Sequence, residues 1–221
     1  PEARASLRQT LRELGANRPL FAVLASTALG FGRAIIQVGG AVVAVVVFGD
    51  AGMFTLLGAG LIVGILVATL ASPALLARFT RRAVMIANGL VSAAAYLVIY
   101  LVGHQSLAIV IVCMVISGLM IGVYTVTVTA MIGDTAAWAE IRSGRRSEGI
   151  AFAGLTFASK LMNALATMAF GLVISMIGYQ ADAPVTDSMR DAVWASISLL
   201  PAVSALASVL PLLGYRLPER E

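Results

Sequence analysis

Charge is scarce in this sequence. Only 12% of its 221 residues are Asp, Glu, Lys or Arg, whereas 60% are hydrophobic, and the mean hydropathy is +0.96. A soluble domain carries about 25% charged residues, so composition implies an integral membrane protein. Cysteine is scarcer still. Cys113 is the only one and lies in an apolar run, which excludes an internal disulfide or a cysteine-based metal site. His104 is the single histidine and sits in a short loop, which argues against a histidine-rich metal or catalytic centre. Neither G-x-S-x-G nor H-E-x-x-H occurs, and no apolar run holds a cluster of acids. No nucleophile and base can be assembled at mid-depth, so we expect no catalytic residues, no bound metal and no enzyme. A cleavable signal peptide is also missing, because the first apolar run is far too long for a signal core. The first residue is Pro1 rather than methionine, the expectation being a fragment or a trimmed chain.

What the chain does have is long apolar runs. Six are long enough for the roughly 20 residues a bilayer requires, near 19–48, 53–77, 82–103, 106–132, 148–178 and 190–214. They predict an all-α membrane domain over 19–214, a leader over 1–18 and a tail over 215–221. In the leader Leu7, Leu11 and Leu14 share a helical face beside Arg4, Arg8 and Arg12, a pattern that suits a membrane surface. Pro19 fits the first turn of the first span. Gly60-xxx-Gly64 and Gly118-xxx-Gly122 are small-residue seams that allow close helix packing.

The net charge of +4 does not point to nucleic acid, since the arginines sit between spans. Arg4, Arg8, Arg12 and Arg18 precede the first span; Arg78, Arg81 and Arg82 separate the second from the third; Arg142, Arg145 and Arg146 separate the fourth from the fifth; Arg216 and Arg220 follow the sixth. With six spans, all four groups fall on one side, the cytoplasmic side by the positive-inside rule, and both termini lie there. Arg190 lies on the opposite side, at the edge of the sixth span, so of the 15 basic residues only Arg33 and Lys160 fall in the interior of spans.

Those two cations are the first functional candidates. Lys160 follows Gly149 by 11 residues, roughly 16 Å of helix at 1.5 Å per residue, too far for an easy return to the near interface. An ammonium at that depth costs about 2.5–3.5 kcal/mol on insertion scales. It either faces a polar cavity or pairs with a backbone carbonyl or snorkels. Asn163, one turn on, shares its face, and either shares the cavity or bonds to a neighbouring helix. Arg33 lies midway along the first span with Gln37 one turn later. A guanidinium there offers a bidentate grip on carboxylate, phosphate or sulfonate. Two intramembrane cations without an intramembrane acid point to an anionic substrate, or to carboxylates contributed by another half. Tyr124, Thr125, Thr127 and Thr129 in the fourth span either line a polar path or, as is commoner for threonine, bond to their own backbone. The stretch between spans four and five reads as a charged, water-facing loop holding Asp134, Glu140, Arg142, Arg145, Arg146 and Glu148, with Trp138 an interface anchor.

The run Met131, Asp134, Glu140, Gly144, Arg145, Arg146, Glu148, Gly149, Phe157 and Lys160 resembles the glycoside–pentoside–hexuronide:cation symporters, the melibiose-permease-like branch of the major facilitator superfamily. Asn17-Arg18-Pro19-Leu20 resembles the opening of that family's seventh helix, and Pro73–Arg82 its basic loop between helices eight and nine. The resemblance covers almost the whole chain and aligns it to the C-terminal half of a twelve-helix symporter. It implies half of a major facilitator fold, two inverted three-helix repeats that enclose a mid-membrane site with a second half. It implies cation-coupled symport of a sugar, glycoside or related solute by alternating access, with Lys160 contacting substrate or coupling substrate to ion. The coupling cation, sodium or proton, would be held mainly by aspartates of the N-terminal half, and no other cofactor is implied. Arg78, Arg81 and Arg82 would close an inner gate against Asp134, Glu140 or Glu148, alongside Arg145 and Arg146; topology alone is the other explanation of this charge. The partner would be an N-terminal six-helix half or a second copy, and the location the plasma (inner) membrane. Sparse aromatics, 7% of the chain, give no clear sugar-stacking platform. The alternative function is a non-transporting six-helix scaffold or subunit of a larger complex.

Overall fold

A computed structural model describes residues 17–103, 106–143, 148–179 and 184–217. The basic leader and the loop residues Arg145 and Arg146 therefore lie outside the described residues. The secondary structure of the described residues is helical throughout. In chain order the helices are α1 Arg18–Leu29, α2 Gly32–Val46, α3 Met53–Leu76, α4 Arg81–Val102, α5 Leu107–Ser143, α6 Glu148–Met176 and α7 Asp187–Leu213. Taken together α1 and α2 form one interrupted span, which makes six helical segments long and apolar enough to cross a membrane. The expected fold class, an all-α membrane protein with six spans, is the one observed.

The local sequence explains where these helices start. Asn17 caps α1 by accepting a hydrogen bond from the Leu20 N–H at 3.1 Å, and Pro19 occupies the first turn, where a missing N–H costs nothing. The Asn17 amide also donates to the Thr135 carbonyl on α5 at 3.2 Å, so one buried side chain begins a helix and ties it to a distant one. Thr80 and Thr186 cap α4 and α7 in the same way, accepting from Ala83 and Met189. After α2 the chain turns back at Gly49, whose φ of +68° favours glycine.

Two apolar clusters hold the bundle. One, around Leu20, Met85, Met131, Ile132 and Leu212, lies toward the arginine-bearing end. The other, around Val46, Ile99, Trp194, Val193 and Phe170, lies toward the opposite end. Between α3 and α5 the two glycine seams meet each other. A methyl group on Gly64 would overlap the Val115 carbonyl oxygen, and one on Gly118 the Leu61 carbonyl oxygen. Packing is thus what these glycines serve.

Two departures from the sequence reading matter. The first span is broken at Gly30-Phe31, which the apolar run concealed. The charged stretch after the fourth span is not a loop as far as Ser143. It continues α5, which at 37 residues is roughly 55 Å long and overshoots any bilayer. Asp134, Trp138, Glu140 and Arg142 therefore stand on a rigid helix.

Candidate functional site

The interruption between α1 and α2 is stitched by a side chain from α7. Ser204 Oγ accepts from the Gly32 N–H and donates to the Leu29 carbonyl, both at 2.7 Å. These are backbone groups that a continuous helix would have paired, and within a bilayer each would otherwise be costly. The approach is close because position 32 is glycine: any Cβ there would overlap the Pro201 backbone.

Arg33 sits just past this break and is 7% exposed. Its guanidinium carbon lies 3.8 Å from the centroid of the Tyr124 ring on α5, a cation–π contact. The same group rests against Gly30, where a methyl group would overlap it. The Tyr124 hydroxyl donates to Thr27 Oγ1 at 3.0 Å, which donates in turn to the Val23 carbonyl, so the ring is held in place from α1. Arg33 Nε and Nη2 are enclosed without any hydrogen-bond partner. An enclosed donor left unpaired costs about 1–3 kcal/mol, and more when charged. Ser26 and Thr127 also bury hydroxyls without partners.

The structure thus brings together two of the sequence candidates, Arg33 and Tyr124, which are 91 positions apart. It keeps the others elsewhere. Gln37 is exposed and lines a separate cavity of about 310 Å³ with Phe48, Phe54 and Trp194. Lys160 and Asn163 are exposed on α6. Thr156 and Thr167 continue the same line; spacings of four, three and four put all of these side chains on one helical face. Thr156, Asn163 and Thr167 each bond to a carbonyl of their own helix four residues back. The sequence reading missed the two threonines, although their spacing from Lys160 would have revealed them. Of Thr125 and Thr129, both exposed, each also bonds one turn back, the commoner behaviour expected of them. The two helices α3 and α6 are the least enclosed, with 17% of their apolar windows buried, against 39–56% for the other spans.

At the arginine-bearing end, Arg81 Nη1 meets Asp134 Oδ2 at 2.6 Å, joining the start of α4 to the extension of α5. Arg82 does not meet an acid as the gate reading expected. Its Nε and Nη2 donate to the carbonyls of Leu212 and Leu213 at the C-terminus of α7, where a positive charge suits the helix dipole. Arg78 lines the same cavity of about 710 Å³ as Arg81, Arg82, Asp134 and Trp138. Arg142 stacks on the Trp138 ring at 4.7 Å. Glu140 is exposed on α5, and Glu148 is exposed in the first turn of α6, where a negative charge suits the helix dipole. Among the described residues no three His, Cys, Asp or Glu side chains gather as a metal site.

Comparison with known proteins now adds to this geometry. Residues 2–219 match the family model described as MFS/sugar transport protein. The chain is 27% identical over 230 aligned positions to the glucuronide carrier protein homolog of Escherichia coli K12, covering 99% of this chain and 48% of that protein. It is 25% identical over 213 positions to the putative 2,3-dihydroxypropane-1-sulfonate exporter of the same strain, covering 95% of this chain and 46% of that one. The chain thus spans about half the length of these curated relatives. With the match running almost end to end and six apolar helices behind it, this chain belongs to the MFS/sugar transport protein family, a family of membrane transporters rather than enzymes.

Proposed function

We propose that the chain is the C-terminal-type half of a secondary transporter that works by alternating access. Its solute would be a sugar, a glycoside or a related compound, including anionic ones, and transport would be coupled to a cation. The observation that carries this reading is the exposed line Thr156, Lys160, Asn163 and Thr167 on α6. Lipid offers an ammonium and an amide nothing to bond, so a line of polar groups at that depth suits a water-filled path between two halves. The relatives' names support the solute class: one is called a glucuronide carrier homolog and the other a putative sulfonate exporter. Both named solutes pair hydroxyl groups with an acidic function. The coupling sodium ion or proton would bind mainly to the partner half, since the described spans offer no acid cluster.

The arrangement proposed is a six-helix body in the inner membrane with the arginine-bearing end and both termini in the cytoplasm. It would rock against an N-terminal six-helix half or a second copy of itself. The Arg81–Asp134 pair, with Arg78 beside the same cavity, would close the inner gate in one state and release it in the other. The test is uptake of a labelled glucuronide into cells making the protein with its partner half. Lys160→Ala should lower uptake at least tenfold while leaving the amount of protein in the membrane unchanged; full uptake by that variant would sink the reading. The competing reading, a non-transporting membrane scaffold, draws on the chain's half-length match. Uptake that never depends on this chain would favour it.

A further inference from the structure

Arg33 is packed against a ring, and one edge of its guanidinium is enclosed but unpaired. Tyr124 covers one face of the guanidinium, and the α-carbon of Gly30 lies against the group as well. The two nitrogens without partners, Nε and Nη2, are those whose N–H bonds run side by side along a single edge of the plane. Two parallel donors on one edge match the two oxygens of a carboxylate or sulfonate, and they carry a charge that a neutral hydroxyl cannot balance. The two ion pairs seen in the described residues, Arg81–Asp134 and Arg190–Asp187, lie at the ends of the bundle, and neither involves Arg33.

We propose that Arg33 is the oxyanion-binding residue of this half, taking the carboxylate or sulfonate of the solute at its Nε–Nη2 edge. The proposal rests on the transport reading and narrows its solute to anions. In this conformation the edge is enclosed, so it must be uncovered before an anion can reach it. The break at Gly30-Phe31 lies immediately beside it, and there the backbone is already interrupted. Ser204 bridges Leu29 to Gly32, and the Arg33 and Ala34 N–H groups donate to the Gly30 and Phe31 carbonyls, so α1 and α2 can change their mutual angle by exchanging these few hydrogen bonds instead of unwinding a helix.

The test uses the purified protein in detergent, with thermal unfolding followed through Trp138 and Trp194 fluorescence at constant ionic strength. The probes are glucose, glucuronate (the same ring with a carboxylate) and 2-hydroxyethanesulfonate. Glucuronate and the sulfonate should raise the melting temperature saturably, and glucose should not. Arg33→Gln should abolish the shift, and Arg33→Lys should weaken the apparent affinity at least tenfold, because one ammonium replaces a two-pronged edge. Without ligand, Arg33→Met should melt at or above the temperature of the parent, as it removes an unpaired buried charge; a lower melting temperature would mark a structural arginine and overturn the proposal. An equal shift with glucose, a shift that survives Arg33→Gln, or no shift with either anion would overturn it too. Uptake separates the two readings: neutral-sugar uptake that is indifferent to Arg33→Gln removes only the anion site. Anion binding without any uptake removes only the transport reading.

Discussion

At the residue scale, single side chains do the joining that hydrophobic burial cannot. Ser204 and Asn17 each satisfy backbone groups on a helix other than their own. Replacing Ser204 with Ala leaves the Leu29 carbonyl and the Gly32 N–H unpaired in an apolar setting. A loss of about 1–3 kcal/mol follows, read as a lower melting temperature of the purified protein. Asn17→Ala removes a helix cap, worth about 1 kcal/mol, and the tie to Thr135 besides. Its loss should therefore exceed that of Thr186→Ala, which removes a cap and an exposed contact with the Ser188 hydroxyl but no tie to another helix. Little of this was legible beforehand. Arg33 and Lys160 announced themselves as charges within apolar runs, but the side chains that answer Arg33 did not. Tyr124 lies 91 residues away, and a cation–π partner looks like any other aromatic in a span. Nor does Leu-Gly-Phe-Gly advertise a helix break, because glycine is common in continuous membrane helices and the decisive serine is 172 residues distant.

At the scale of helices, the α3–α5 pair is fixed by where glycines touch. At Gly118 an added methyl group would meet the Leu61 carbonyl, whereas at Gly60 its nearest neighbour would be Val115 Cγ2 at 3.6 Å, an ordinary contact. Gly118→Ala should destabilise by about 1–3 kcal/mol through overpacking. Gly60→Ala should be neutral or stabilising by up to about 1 kcal/mol, because alanine loses less backbone freedom in a helix. Equal effects in thermal unfolding would refute this account of the seam. The seam itself could be read in the sequence from its spacing; which of its glycines matter could not. The charged end of α5 misled for a related reason. Polarity reads as a loop, yet a helix that leaves the apolar layer simply carries charge onward into water, as Asp134–Arg142 does. The Arg81–Asp134 pair bridges that extension to α4 with both side chains more than a third exposed, so it should add at most about 1 kcal/mol to stability. Arg81→Ala should hardly move the melting temperature but should change uptake. Exchanging the pair (Arg81→Asp with Asp134→Arg) should recover part of the lost function, and no recovery would argue against a gate built on this contact.

At the scale of the whole molecule, composition and the spacing of the arginines were enough for six spans, because a bilayer leaves few alternatives for a chain this apolar. The face that would meet a partner could not be deduced so directly. Burial sets α3 and α6, the least enclosed helices, apart from the rest, and the proposed partner face is assigned to them. One of those, α6, carries its polar groups in a line, with Phe157 and Met168 exposed beside them. A solute path on α6 requires that line to face water in the assembled protein. Cysteine accessibility tests it most directly, in membranes, after Cys113→Ser has removed the buried native thiol. Single cysteines replacing Thr156, Lys160, Asn163 and Thr167 should react with a membrane-impermeant maleimide, and bound solute should slow the reaction at 160 and 163. Cysteines replacing Met168 and Leu172 should stay unlabelled in lipid. Silence along the polar line, or equal labelling around the helix, would contradict a solute path on this face.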